Sequence, residues 1–116
     1  ILKEALEAAD ILRSKNINLT IVQIHTFKPL CKEKIKNILN STTVAITLEE
    51  NNIINGLGDC IASICMDVEN RPKNIIKLGI PDEYPKIVGD QYYLRKYYGL
   101  DSESISSKIL KVLVNI

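Results

Sequence analysis

Little in this sequence is extreme, and its shortages narrow what it can do. Lys and Arg number 15 against 14 Asp and Glu, a net charge of +1 interspersed along the chain. Without a basic face there is no electrostatic footprint for nucleic acid. No apolar run approaches the length that crosses a bilayer, so no membrane partner is expected. The N-terminus starts directly on an amphipathic, acid-containing helix, unlike a secretory signal. Cysteine is scarce: Cys31, Cys60 and Cys65 are odd in number and have no Cys-x-x-Cys spacing. That argues against a disulfide framework and against a zinc site. Reduced, buried thiols at Cys60 and Cys65 and a cytoplasmic setting follow. There is one histidine, His25. It is a general base by type, but with no visible partner its default is a structural or surface role. No repeat, linker or low-complexity tract divides the 116 residues, which suit one globular domain with a modest core.

The residues that are present alternate in period. ILKEALEAADILRSK sets Leu2, Ala5, Leu6, Ala9 and Leu12 on one helical stripe. Asn16 is a candidate C-terminal cap. NLTIVQI (Asn18–Ile24) is β-branched and nearly continuous, the pattern of a strand buried on both faces. Thr26–Leu30 is a loop in which Pro29 keeps Lys28 extended. KEKIKNIL predicts a helix directed inward by Ile35, Ile38 and Leu39, and TTVAITL (Thr42–Leu48) a second buried strand. A third helix runs from Leu57 to Val68, and NIIKLGI (Asn74–Ile80) is a strand stopped by Pro81. A short helix around Asp90–Tyr98, a break at Gly99 and a last helix from Ser102 to Val114, capped by Asp101 or Ser102, complete the chain. Helices alternating with buried strands predict an α/β fold, a three-layer sandwich around a largely parallel sheet. A chain that starts on a helix implies a strand before residue 1, so the sequence reads as a fragment.

One stretch concentrates the functional question: LEENNIINGLGD, Leu48 to Asp59. A phosphate cradle is the first reading, since glycines admit a phosphate to the backbone and a helix N-terminus favours anions. Against it, Ile61 stands where the third glycine of G-x-G-x-x-G belongs, and Glu49 and Glu50 would repel an anion. A catalytic carboxylate pair is the second reading, but neighbours on an extended chain point to opposite sides, so only one can share a pocket. The third is an architectural corner, in which glycines let the next helix pack closely. This is the default. It still leaves the glutamates at the carboxyl edge of a parallel sheet, where α/β domains meet ligands or partners. A second feature is the tyrosines: all five lie between Tyr84 and Tyr98. Tyr92, Tyr93, Tyr97 and Tyr98 share one short helix, as an interface or as the plug of a small core.

Taken in order, ALEAADIL (Ala5–Leu12), TFKPL (Thr26–Leu30), ITLEENNIINGLGDCIA (Ile46–Ala62), LGIPDEY (Leu78–Tyr84) and YYGLDSESI (Tyr97–Ile105) resemble the C-terminal domain of transketolase-type, thiamine-diphosphate-dependent enzymes. The set covers essentially the whole chain. Two positions depart from the family pattern. Its Lys-Pro-Leu-Asp is here Lys28-Pro29-Leu30-Cys31, and the first glycine of its Gly-Gly-x-Gly is Asn55, while Gly56 keeps the second.

The resemblance implies a domain of a transferase that moves two-carbon ketol units between sugar phosphates, with 1-deoxy-D-xylulose-5-phosphate synthase as the alternative. LGIPDEY and GLDSESI resemble these two groups more than the 2-oxoacid dehydrogenase β subunits. YYGL is more similar to transketolase, especially forms split into two polypeptides. A stand-alone interaction module of the same fold is a further alternative. The resemblance also implies that thiamine diphosphate and Mg²⁺ sit between the enzyme's other domains, across a homodimer. This domain would then hold no catalytic, cofactor or metal residue. Residues 1–116 would be one C-terminal-like domain lacking its first strand and the upstream thiamine-binding domains. Its partners would be the other domains or subunit of the same enzyme. The candidate contact residues are Glu49, Glu50, Asn51, Gly56, Gly58, Tyr92 and Tyr93.

Overall fold

The computed structural model describes residues 1–26 and 28–116. Phe27, the aromatic of the Thr26–Leu30 loop, lies outside the described residues. The chain forms two compact units, one of residues 24–82 and one of residues 1–23 with 83–116.

The central unit is α/β. Its elements are α2 (Lys32–Asn40), β1 (Val44–Asn52), α3 (Leu57–Cys65) and β2 (Asn74–Ile80). The two strands pair in parallel from Val44↔Asn74 to Leu48↔Leu78, and the register then shifts before Asn52↔Ile80. A parallel pair needs a crossover, and α3 provides it. Its inward residues Ile61, Ile64 and Cys65, with Val68 just beyond, pack with Ile35 and Leu39 of α2 and Ala45 of β1. Full burial of side chains of this size stabilises by roughly 1.5–3 kcal/mol each. Ile38, expected inward, is 38% exposed.

The flanking unit is helical among the described residues: α1 (Leu2–Arg13), α4 (Gln91–Tyr98) and α5 (Ser102–Val114). Here α1 packs on α5. Ala8, Ala9, Leu12, Leu100, Ile105 and Ile109 are its buried apolar residues. Two helices end in the same device. Asn16 (φ 61°) and Gly99 (φ 67°) turn left-handed. The next amides then reach back five residues, Ile17 to Leu12 O at 3.0 Å and Leu100 to Arg95 O at 2.8 Å. That is the Schellman arrangement, and it satisfies helix carbonyls that would otherwise lack donors.

Two expectations are corrected. Residues 18–24 form no strand; Ile21 and Val22 are exposed. β-propensity describes side chains suited to a pleated surface, and without a ladder partner it builds nothing. The stripe on α1 is also rotated. Leu2 and Leu6 are 36% and 50% exposed, whereas Glu4 is buried at 6%. Small Ala8 and Ala9 face the neighbour because they permit close approach, and Glu4 is drawn in by a polar partner described below.

Candidate functional site

β1 runs four residues past Leu48, through both glutamates and both asparagines. Its buried face carries Ala45, Thr47 and Glu49, while Val44, Ile46, Leu48 and Glu50 are only half-buried. Alternation along the strand thus separates the two glutamates. The register shift follows Leu48, and such an irregularity re-aims the residues around it.

Glu49 is directed onto the start of α3. Its Oε2 accepts from Leu57 N at 2.9 Å and its Oε1 from Gly58 N at 3.1 Å. These are orphan donors at the positive end of a helix, where a carboxylate is favoured. The helix has no cap of its own, because its N-cap residue is Gly56. A Cβ at Gly56 would fall on the Glu49 carboxylate, so this glycine makes room for a side chain of the protein itself; one at Gly79 would meet Ile53 Cγ2 at 2.8 Å and Asn51 O at 3.0 Å before Glu49 Cγ at 3.1 Å.

The turn between β1 and α3 is bonded throughout. Ile53 N donates to Ile80 O at 2.9 Å. Asn52 Oδ1 accepts from Ile54 N at 2.8 Å, and its Nδ2 donates to Asp82 at 2.9 Å. Asn55 sits at φ 58° and donates its N–H to Asp59 at 2.6 Å. Asn tolerates the left-handed region better than most residues, which explains how it replaces the glycine of the resembling family. Lys77 Nζ reaches Asp59 at 2.7 Å. The Lys77 hydrogen bond, then the Asn55 N–H, hold the Asp59 carboxyl below its ordinary value.

Beside this corner lies an open cleft of about 480 Å³, lined by Glu49, Asn51, Asn55, Gly56 and the apolar Ile24 and Ile54 among others. Of the sequence candidates, Glu49, Asn51 and Gly56 share this cleft, and Gly58 lies buried in the first turn of α3. Glu50 is half-buried on the alternate side of the strand. Tyr92 and Tyr93 belong to the other unit, on α4, and are 66% and 50% exposed. His25 is exposed. Of the thiols, Cys65 is buried, Cys60 half-buried and Cys31 exposed, and all three are free.

The sequence reading missed three polar residues that hold the corner: Asn52, Asp59 and Lys77. The Asn-Asn pair at a strand end was the available signal, since Asn side chains close local turns. It also missed Glu4, which has no such signal.

What the corner can do chemically is limited. Each Glu49 oxygen accepts one backbone donor, which leaves a lone pair on each, and the residue is only 6% exposed. The start of α3 already holds the Glu49 carboxylate, and among the described residues no group of three or more His, Cys, Asp or Glu is placed to hold a metal. Among the described residues, no helix is long and apolar enough to cross a membrane.

Comparison with known proteins agrees with this architecture. Residues 1–105 match the family model described as transketolase, C-terminal domain. A 1-deoxy-D-xylulose-5-phosphate synthase of Caldanaerobacter subterraneus subsp. tengcongensis is 38% identical over 93% of this chain and 17% of its own length. A putative transketolase C-terminal section of Methanocaldococcus jannaschii is 37% identical over 93% of this chain and 33% of its own length. Among solved structures, a split gene transketolase in an inactive β4 tetramer matches with a TM-score of 0.78 at 28% identity, covering 97% of this chain and 35% of that one. The chain thus spans 17% to 35% of these relatives.

Proposed function

Because this chain belongs to the transketolase C-terminal-domain family, we propose that it is the non-catalytic C-terminal part of a thiamine-diphosphate-dependent enzyme that transfers two-carbon ketol units between sugar phosphates. One observation carries the non-catalytic assignment. Glu49, the carboxylate best placed at the sheet's carboxyl edge, is only 6% exposed, and each of its oxygens accepts from the start of α3. Thiamine diphosphate and Mg²⁺ then belong to domains outside these residues, and this chain contributes fold and contact. The contact surfaces we assign are the rim of the corner (Glu50, Asn51 and Gly56) and, separately, Tyr92 and Tyr93; Glu49 and Gly58, expected to join the rim, are buried beneath it. Their partners are the remaining domains or the second subunit of a homodimer. Three free thiols fit a cytoplasmic enzyme.

A second reading has its own support. The relative from Caldanaerobacter at 38% identity is a 1-deoxy-D-xylulose-5-phosphate synthase, so the complete enzyme can equally be one that condenses pyruvate with glyceraldehyde phosphate. Two experiments separate the possibilities. Titration calorimetry of thiamine diphosphate with Mg²⁺ into this chain alone should give no saturable heat. Saturable micromolar binding would overturn the non-catalytic assignment. In the complete enzyme, ketol transfer between sugar phosphates supports the first reading, and pyruvate-dependent condensation without it supports the second.

A further inference from the structure

We propose that the cleft beside the corner is the seat of an arginine side chain carried by another part of the complete enzyme, with its guanidinium on the Glu49 carboxylate. The inference rests on the reading of this chain as one part of a larger enzyme, and it holds for either reaction.

Two buried glutamates differ in what faces them. Glu4 and Glu49 are both 6% exposed. Glu4 has the Arg95 guanidinium at 3.9 Å. Among the described residues, no Lys, Arg or His forms an ion pair with Glu49. Lys77, whose stem lies against Gly58, is paired with Asp59 at 2.7 Å. A buried charge is costly unless it is paired as well as hydrogen-bonded. Leu57 N and Gly58 N take one lone pair on each Glu49 oxygen and leave one on each.

The space beside this carboxylate is a separate observation. Glu49 lines the open cleft of about 480 Å³, together with Gly56 and Leu57, the residues that lie against its carboxylate. Among the described residues, Glu49 is the only charged one in that lining. Asn51 and Asn55 add neutral polar groups, and Asn52 brings a second carboxylate, Asp82, to 2.9 Å from its amide. A cleft with charge of one sign repels anions and draws a cation. Its apolar walls are Ile24, Ile54 and Leu57, and Ile54 is 51% exposed. A long basic side chain covers such walls with its stem while its head reaches the carboxylate. A guanidinium offers a planar fork of N–H donors, which matches two oxygens with one free lone pair each. The three arginines of this chain are engaged elsewhere: Arg13 with Asp10, Arg71 with the carbonyls of Val68 and Met66, and Arg95 with Glu4. The occupant therefore comes from another part of the enzyme, and the relatives carry this region as only 17% to 35% of their length.

The test is an arginine footprint of the complete enzyme: modification by butanedione, mapped by peptide mass, in wild type and in Glu49→Gln. Gln keeps the size of the side chain and one carbonyl acceptor but not the charge. The proposal expects one arginine outside residues 1–116 to be protected in the wild type. In the variant it should react about tenfold faster, the factor that corresponds to losing one charge-assisted hydrogen bond. If no such arginine changes, or if acetylation finds the variant-sensitive protection on a lysine instead, the proposal is overturned. Ile54→Lys is a second variant, made at an exposed position so that the core is spared. A cation at the mouth of the cleft should expose the same arginine, and unchanged protection there would also overturn the proposal. The footprint is read whether or not the enzyme turns over. Absence of both ketol transfer and pyruvate condensation counts against the reading of the enzyme; an unchanged footprint in an active enzyme counts against this inference alone.

Discussion

Each compact unit buries one glutamate on the start of a helix, and the two are secured in different ways. In the central unit, Glu49 reaches eight and nine residues ahead to Leu57 N and Gly58 N. In the flanking unit, Glu4 accepts from Ser102 N at 2.8 Å, 98 residues away, and lies 3.9 Å from the Arg95 guanidinium. The helix that Glu49 serves has no local cap. The helix that Glu4 serves also has Asp101 as its N-cap, accepting from Ser104 N. One start depends on a single carboxylate and the other on two. A buried glutamate is therefore not one kind of feature. Where it is the sole acceptor its removal strands donors; where a second cap exists the loss is shared.

The largest effect should follow from Glu49→Ala. It strands two amides at a buried corner, and we expect a loss of about 3 kcal/mol, given roughly 1–3 kcal/mol for each unsatisfied group. Urea unfolding of the complete enzyme chain measures it. A double-mutant cycle sharpens the cause. Gly56→Ala alone should cost about 1–3 kcal/mol through overpacking against the carboxylate. Combined with Glu49→Ala it should add little, and simple additivity would show that the two do not meet.

Glu4→Ala should cost less, about 2 kcal/mol, because Ser102 N and Arg95 lose a partner while Asp101 still holds the helix start. If it proved costlier than Glu49→Ala, the comparison would be broken. Cys31→Asp is expected to be stabilising, by roughly 0.5–1 kcal/mol. Cys31 is the N-cap of α2 and makes no side-chain cap bond, and it stands where the family pattern has Asp. Thermal melting reads the sign.

Acid should weaken both units in the same direction. At Asp59 the Lys77 bond and then the Asn55 N–H lower the carboxyl. At Asp101 burial pushes upward, and hydrogen bonds from the Ser104 side chain and backbone outweigh it. Lowered folded-state values mean that the native state binds fewer protons than the unfolded chain. The stabilisation is then full above the ordinary carboxylate range, about pH 4, and is lost as pH falls through the lower folded-state values. Asp59→Asn should flatten part of this slope in urea melts at stepped pH, and an unchanged slope would remove Asp59 from the account.

Much of the fold was legible because local signals agreed. β2 matches Asn74–Ile80, a β-branched run stopped by Pro81, and α5 matches Ser102–Val114, with Asp101 as its cap. Asn16 was readable as a cap because few residues other than Gly and Asn turn left-handed cheaply. What failed depended on partners. Asn18–Ile24 has strand chemistry but no ladder. The buried face of α1 was set by which side chains its neighbour admits, and no window of sequence contains that. The corner was half legible. LEENNIINGLGD showed a glycine turn, a helix start and two carboxylates. Treating the glutamates as repelling an external anion concealed that Glu49 is itself the anion, because the register shift that aims it is a property of the β1–β2 pairing.

We propose that Glu49 works through architecture and not through chemistry. The most direct test is turnover per assembled active site of the complete Glu49→Ala enzyme, measured beside its oligomeric mass and melting temperature. We predict a lower melting temperature and weakened assembly, with turnover of the assembled fraction within about threefold of wild type, under ~1 kcal/mol of barrier. A fall of more than about a hundredfold, roughly 2.7 kcal/mol, at unchanged mass and melting temperature would contradict it.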